Sequence, residues 1–275
     1  MKNHRTPLIF SSILTLLALA LPFSVVDKAK AELITFFGED LKTDGDDGTR
    51  LASTPNANAA HDAFLGLLIS PGTEDFEGFN EGNNPTTLTF GPETGAVVNA
   101  SSDIKVKDVP TGTFGGTYPM SGDNLLLHFM DAAFDIEFTN PQVAFGFYGT
   151  DIGDGDGQLS VALHHTSGGT TNLAVPHATA ASTGQGLTGS ALYFGVVSTV
   201  NPFDSVTINN ANASLDGFGY DDMTAAASTT IPEPSSFILL CLSLLGMFGY
   251  VWCRHRLRLA LAEEGRVREQ IDQTR

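Results

Sequence analysis

The sequence predicts an all-β domain, an antiparallel β-sandwich of jelly-roll type with one short helix near its amino-terminal end. Between Glu32 and Thr230 the chain consists of short segments of alternating polarity, separated every ten residues or so by Gly, Pro, Asn and Asp. Many short strands with such turn signals are typical of β-sandwiches. The absence of a repeat at fixed period disfavours a β-helix or a propeller.

The predicted strands carry apolar side chains at alternate positions. In Val143–Tyr148 the large residues share one face, and Leu159, Val161 and Leu163 repeat the pattern. This two-residue period is that of a β-strand. The segments predicted as strands are 33–37, 86–90, 104–109, 125–129, 134–138, 143–148, 159–163, 171–175, 191–197, 203–208 and 218–224.

One segment has a helical period instead. Thr54 and Pro55 have the residue types of an N-cap and a first-turn proline. Apolar residues then recur at helical spacing, at Ala60, Phe64, Leu67 and Leu68. We expect a helix that packs on the core and ends at Pro71-Gly72.

The region 32–230 is strongly acidic. It holds 25 of the chain's 31 Asp and Glu residues but four of its 14 Lys and Arg residues, which gives a net charge of about −21. Nucleic acids are not expected partners, because phosphate contacts need Lys and Arg. Both cysteines, Cys241 and Cys253, lie outside this region, so it has no disulfide and no thiol chemistry.

Residues 1–31 have the features of a secretory signal peptide. Two basic residues precede the apolar stretch 8–26, and Ala29-Lys30-Ala31 places small residues at the positions that a signal peptidase reads. We expect cleavage before Glu32. A cut after Ala20 and a retained membrane anchor are the alternatives.

Residues 231–258 form a three-part segment. Its parts are, in order, Pro232, Glu233 and Pro234, then the uncharged run 237–253, then Arg254, Arg256 and Arg258. Seventeen uncharged residues make a helix of roughly 25 Å, near the lower limit for crossing a bilayer, so we predict a transmembrane helix. Arginines directly after such a run stay cytoplasmic, which places the acidic domain outside and makes 259–275 a short cytoplasmic tail.

This segment resembles the PEP-CTERM sorting signal of exported bacterial proteins, because its parts occur in the order of that signal and next to each other. The resemblance implies a partner, an exosortase. This transpeptidase-like membrane enzyme cuts near the motif, so the protein is membrane-anchored before processing and at the cell surface or extracellular afterwards. Family members usually end soon after the basic cluster, whereas this chain continues to Arg275. A plain single-span anchor is the alternative.

Parts of the acidic domain resemble an exported domain type found with this tail and are similar to carbohydrate-binding jelly rolls. The matching segments are Asp75–Phe79, Phe145–Asp154 and Asp216–Met223. In such jelly rolls the first and last strands share a structural calcium. The resemblance therefore implies a fold and a metal ion, but no particular ligand.

A loop rich in Asp and Gly is the first candidate calcium site. Asp151, Asp154 and Asp156 lie within six residues, among glycines that let the backbone fold around an ion. Calcium takes six to eight oxygen ligands, and such loops supply several. The loop lacks the residue order of an EF-hand. A solvated turn is the alternative here and at the similar loop 44–48.

The second candidate calcium site joins residues far apart in sequence. If Glu77 opens the first core strand and Asp221 or Asp222 lies in the last, a jelly roll brings them together, and a cation would relieve their repulsion. The alternative is that these are exposed edge charges that discourage pairing between molecules.

Catalytic motifs are not found. The adjacent His164 and His165 are expected on opposite faces of a strand, so they cannot share one metal or substrate. HExxH, Gly-x-Ser-x-Gly and Walker sequences do not occur. A carboxylate pair of the glycosidase type stays open, since 25 acidic residues bring some pair within reach by chance. We predict a protein that is not an enzyme.

Three functions are compatible with these observations. The favoured one is an exported, surface-tethered or secreted protein with a structural or adhesive role in the extracellular matrix. The second is a calcium-dependent polysaccharide-binding module, and the third is a polysaccharide hydrolase. Sugar stacking would use exposed tyrosines, since the domain has no Trp. The candidates are Tyr118, Tyr148, Tyr193 and Tyr220.

Overall fold

The computed structural model describes residues 33–45, 47–98, 104–129, 132–184, 186–211, 217–230, 243–252 and 254. In these residues two antiparallel sheets pack into a sandwich, which confirms the predicted fold class. The predicted signal peptide lies outside the described residues, as does the predicted cytoplasmic tail.

The strands of the described residues are β1 (Leu33–Asp40), β2 (Gly72–Glu74), β3 (Thr87–Phe90), β4 (Glu93–Val98), β5 (Ile104–Asp108), β6 (Asn124–Phe129), β7 (Ala132–Gln142), β8 (Ala144–Thr150), β9 (Gln158–His165), β10 (Thr170–Ala174), β11 (Ala191–Ser198), β12 (Phe203–Ala211) and β13 (Gly217–Ala226). The helices between them are α1 (Pro55–Leu65) and α2 (Ala180–Thr183).

The first sheet has the order β1-β11-β8-β13-β6-β5, and β2 pairs with a further part of β13. The second has the order β10-β9-β12-β7-β4-β3. Alternate residues of both sheets point inward and form the main core. Its largest side chains include Phe76, Phe90, Phe134, Phe145, Phe147, Phe194, Phe203 and Phe218, all 0–1% exposed. Burial of each contributes about 1.5–3 kcal/mol.

A smaller apolar cluster lies on the outer face of the first sheet, where α1 packs on β1 and β11. Phe64 of α1 contacts the Tyr193 ring, with ring centroids 5.8 Å apart. The helix comes very close to β1 at Gly38, where an added Cβ would lie 2.0 Å from the backbone oxygen of Asn56. Only glycine permits this approach.

Two strands were not predicted from the sequence. β2 has three residues, too few to show a period. β4 contains Gly95, where a side chain would meet the Ile136 Cγ2 atom at 2.6 Å. Because a neighbouring strand fills the space, β4 needs no apolar residue there, and the alternation is lost.

The start of α1 is predicted correctly, but its end and its cap are not, since the helix ends at Leu65 and not at Pro71-Gly72. Pro55 occupies the first turn, whereas the Thr54 side chain makes no capping hydrogen bond. The Asp40 carboxylate, from β1, accepts the backbone N–H groups of Asn56 at 3.0 Å and Ala57 at 2.9 Å. The cap therefore comes from a strand, and it ties β1 to the helix.

Removal of this cap is expected to destabilise the domain. Asp40→Ala should lower the free energy of unfolding by about 1–2 kcal/mol, because two helix N–H groups lose their acceptor. Urea unfolding of the purified protein measures this value. Asp62→Ala is the control, since Asp62 is an exposed carboxylate of the same helix. Equal losses in the two variants would contradict the capping role.

Candidate functional site

The last strand changes partners in the middle of the first sheet. β13 pairs with β6 through Gly217–Tyr220 and with β2 through Met223–Ala225. Between these stretches lie Asp221 and Asp222, where the register with β8 shifts and Asp222 adopts a φ of 45°. A positive φ at a non-glycine residue is strained, so this bulge is held by its surroundings.

Both carboxylates of the bulge hold the segment that leads into β6. Asp221 Oδ2 accepts the backbone N–H groups of Met120 at 2.7 Å and Ser121 at 2.8 Å. Asp222 Oδ1 accepts the Ser121 hydroxyl at 2.8 Å. The first two residues of this segment are therefore bound from the β13 side.

Glu77 holds the other end of the same segment. It lies in the turn after β2, so the expectation that it opens a core strand was wrong. Because β2 pairs with β13, the turn still reaches this place, and Glu77 Oε1 accepts the N–H groups of Asp123 at 2.8 Å and Asn124 at 2.7 Å. We name Glu77, Asp221 and Asp222, with the segment 120–124, the acidic clamp.

In the acidic clamp, amide and hydroxyl donors occupy carboxylate oxygens that were expected to bind a cation. Among the described residues, no three His, Cys, Asp or Glu side chains are grouped in a way that could hold a metal ion. The three predicted ligands therefore all contact the segment 120–124. Calcium binding at this place stays a prediction.

Burial is the main influence on the pKa of both aspartates in the acidic clamp. Burial and the neighbouring Asp222 raise the pKa of Asp221 to about 8, although backbone N–H groups oppose the shift. Burial also raises the pKa of Asp222, against the Ser121 hydroxyl and His61, which lower it. Backbone N–H donors at Asp221 and the Ser121 hydroxyl at Asp222 favour the charged carboxylates, but desolvation is the stronger effect on the pKa of both residues.

His61 is a neighbour of the acidic clamp that sequence reasoning missed. Its half-buried ring lies 5.0 Å from the ring centroids of both Tyr148 and Tyr193. Burial lowers the pKa of His61, and Asp222 acts in the opposite direction. Helical spacing indicated only the apolar residues of α1, so nothing in the sequence related this histidine to β13.

The loop of the first predicted calcium site is bound to the chain around α2. Asp151, 2% exposed, accepts the N–H of Gly189 at 2.8 Å, and Asp156 accepts the N–H of Ala181 at 2.7 Å. Both aspartates have a φ of 62°. These two carboxylates therefore point to different places and stabilise the loop itself.

Asp154 differs from its two neighbours in this loop. Its Oδ2 atom accepts the Thr188 hydroxyl at 3.0 Å. Its Oδ1 atom is buried and has no hydrogen-bond partner among the described residues. An unpaired buried carboxylate oxygen is costly, so this atom is the strongest indication of a cation in the loop.

The tyrosines considered for sugar stacking are buried. Tyr118, Tyr148, Tyr193 and Tyr220 are at most 5% exposed, so the condition for a stacking platform is not met. Tyr148 and Tyr193 instead pack on each other at a ring distance of 4.9 Å. Their aromatic area stabilises the fold.

The two adjacent histidines lie on opposite faces of β9, as predicted. His164 Nε2 lies 2.8 Å from Thr207 Oγ1, and Thr207 donates to Asp135 on the solvent side of the second sheet. His165 Nε2 lies 2.8 Å from the Thr171 hydroxyl. His164, Thr207 and Asp135 thus form a row of polar side chains across β9, β12 and β7. The sequence did not predict this row, because its residues are far apart in the chain.

Stability should depend on pH through Asp221. Because folding raises the pKa of this carboxyl, the folded state holds its proton over a range where the unfolded state has lost it. The free energy of unfolding therefore falls as pH rises from about 4 to about 8. Asp221→Asn should remove this part of the dependence in chemical unfolding measured across that range. Glu137→Gln, at an exposed carboxylate, is the control, and identical pH profiles for wild type and Asp221→Asn would contradict the account.

Comparison with solved structures finds matches at low identity and with TM-scores below 0.5. The K2 cleaved adhesin domain of Lys-gingipain matches at 16% identity and a TM-score of 0.39, covering 58% of this chain and 99% of that one. The C-terminal family 22 carbohydrate binding module of Clostridium thermocellum Xyn10B matches at 15% identity and a TM-score of 0.33, over 60% and 98% of the two chains. TmCBM61, solved with β-1,4-galactotriose, matches at 13% identity and a TM-score of 0.28, over 49% and 88%. A search of curated proteins finds no match.

The carboxyl-terminal segment gives a specific match. Within the described stretch 243–252 the chain is helical, and its residues are exposed, as is Arg254. Of the helices in the described ranges, none has the length and apolar character needed to cross a membrane. Other predicted sorting residues lie outside the described residues, namely Pro232, Glu233, Pro234, Arg256 and Arg258, and so do residues 237–242 and 253 of the predicted span. A family model for the PEP-CTERM protein-sorting motif matches residues 230–256, so the chain carries this sorting motif and is an exported protein.

Proposed function

We propose that this exported protein is a non-enzymatic component of the cell surface or extracellular matrix, with a structural or adhesive role. An exosortase-type enzyme processes it at the PEP-CTERM motif. The sorting and processing part of this proposal depends on the position of the motif. The motif begins at residue 230, where the described sandwich ends.

The junction between sandwich and motif is well defined. After β13 the chain pairs with the residues that follow α1: Thr229 bridges to Leu68, and the N–H of Thr230 donates to the Leu67 carbonyl at 2.8 Å. No described strand lies within the motif. Processing after this point can therefore remove the tail and leave both sheets intact.

The chemistry of the described polar residues supports a non-enzymatic role. Carboxylates of the acidic clamp are bound to backbone N–H groups that position a loop, and His164 belongs to a flat ladder on an open sheet face. A hydrolase would instead present paired carboxylates in a cleft. These side chains make hydrogen bonds that stabilise the fold.

A calcium-dependent polysaccharide-binding module is the second candidate function. The buried, unpaired Oδ1 atom of Asp154 favours it, since carboxylate oxygen is the ligand that calcium prefers. Calcium at this atom would strengthen the connection between the loop and Thr188, whose hydroxyl already donates to the other oxygen of Asp154. Extracellular polysaccharide is the partner class that this function implies.

The sorting proposal is tested at the motif. Glu233→Ala should prevent recognition, so the chain should keep its tail and accumulate in the membrane fraction. Deletion of the exosortase-type enzyme should have the same effect. Intact-mass measurement of the fractionated protein gives the readout. Glu269→Ala, at an acidic residue beyond the motif, is the matched control and should be processed normally. Equal processing of the two variants would contradict the proposal.

The calcium proposal is tested by thermal unfolding with and without the ion. A hundredfold excess of calcium over its Kd should stabilise the folded protein by about 2.7 kcal/mol and raise the Tm. Asp154→Asn should lose this response, and Asp62→Asn, at an exposed helix position, should keep it. A glycan-array screen measures polysaccharide binding separately. If calcium does not change the Tm and the protein binds no glycan on the array, the polysaccharide-binding function is contradicted and the structural role remains.

A further inference from the structure

The first sheet ends at a strand whose outer edge is open. β1 pairs with β11 in unbroken register from Leu33 to Asp40. In the described part of the chain, residues 33–38 make no hydrogen bond outside that ladder. Glu39 is different, because its carbonyl accepts the Asn56 side chain. Over these six residues, roughly 20 Å of strand, the N–H and C=O groups of every second residue point outward and are available.

The edges of β5 and β3 are covered. On β5, the Val106 carbonyl accepts the N–H of Gly82 and the Val106 N–H donates to Asn83, both at 2.8 Å. On β3, the Thr89 N–H donates to a Glu74 carboxylate at 2.7 Å. β10 is open but has five residues, of which three are exposed. Of the described edges, β1 is the longest that can accept a strand.

A groove of about 720 Å³ runs along this edge. Its lining residues are Thr35, Phe36, Phe37, Gly38, Glu39, Asn56, Ala59, Ala60 and Ala63. One wall is therefore strand backbone, and the other is a face of α1 with small side chains. Ala59 and Ala63 are exposed on that face, so another backbone element can approach the helix closely.

We propose that the occupant is β1 of a second copy of this chain, paired antiparallel about a two-fold axis perpendicular to the sheet. Such an axis keeps both α1 helices on one face and puts matching faces of the two strands side by side. Because α1 lies over β1 and β11, the two helices come about two strand spacings apart, roughly 10 Å. Helices with small contact residues pack at about this distance. The two first sheets then form one continuous sheet.

Charge placement also favours this pairing. The acidic residues of β1, Glu39 and Asp40, lie at its carboxyl end. Antiparallel pairing places the two acidic ends at opposite sides of the joint, so Glu39 and Asp40 of one copy do not face Glu39 and Asp40 of the other. The remaining obstacle is the net charge of −17 on each chain, which salt screens, so the dimer should strengthen with ionic strength.

Cross-linking in cells tests which occupant the edge has. Thr35→Cys in the full chain, treated with a short bis-maleimide, should give a species of twice the chain's mass. Thr87→Cys, an exposed position on the β3 edge, is the control, and the unmodified chain gives the background from Cys241 and Cys253. A Thr35→Cys product no stronger than the control overturns the proposal. A product of another mass assigns the edge to a different partner and also overturns it.

The purified protein gives an independent measurement. Light scattering of the wild type at physiological salt should show a dimer, and Thr35→Lys should raise its dissociation constant at least tenfold, because two lysines would meet at the joint. Thr87→Lys should leave the dimer unchanged, and circular dichroism checks that both variants fold. A monomeric wild type contradicts the inference. This outcome says nothing against sorting at the motif, which does not depend on the dimer.

Discussion

The central constraint of this fold is the position of its last strand in the middle of a sheet. β13 lies between β8 on one side and both β6 and β2 on the other, so the first sheet cannot close until residues 217–226 are in place. Such long-range pairing is slow to form, because the chain loses the entropy of closing long loops before the stabilising contacts are made. The acidic clamp fixes the point where β13 changes partners. The sorting motif begins four residues after this strand, so the segment that completes the fold directly precedes the segment that directs the protein.

The excess of acidic residues is accommodated by the backbone. With few cations in the domain, carboxylates bind N–H groups: Asp40 caps α1, Glu74 binds Phe76 and Thr89, and the acidic clamp holds the segment before β6. Lys42 is an exception, since its ammonium group binds Asp44 and Asp47. Amide donors stabilise a carboxylate without an added charge. An acidic surface of this kind keeps an exported protein soluble, while its carboxylates order the loops between strands.

The sequence predicted much of the fold, because alternation is a local property. Strands with large apolar residues at every second position, such as β8 and β9, were located to within one or two residues. β4 was missed because Gly95 faces a space filled by Ile136, and the Asp40 cap was missed because strand and helix meet only in three dimensions. For the candidate site, the residue types of the acidic clamp were predicted and their partners were not. Hydrogen bonds from Met120 or Asn124 to distant carboxylates leave no pattern in the sequence. The sorting motif was recognised from sequence alone, since its three parts are adjacent.

A folded sandwich that is complete at residue 230 and a separate sorting segment after it are the core of this account. The most direct test is peptide mapping by mass spectrometry of the protein isolated from outside the cell. We predict a protease-resistant body that includes residues 33–230 and a carboxyl-terminal peptide that ends within the motif. Extracellular protein that retains residues 254–275, or a native cleavage site inside β13, would contradict it.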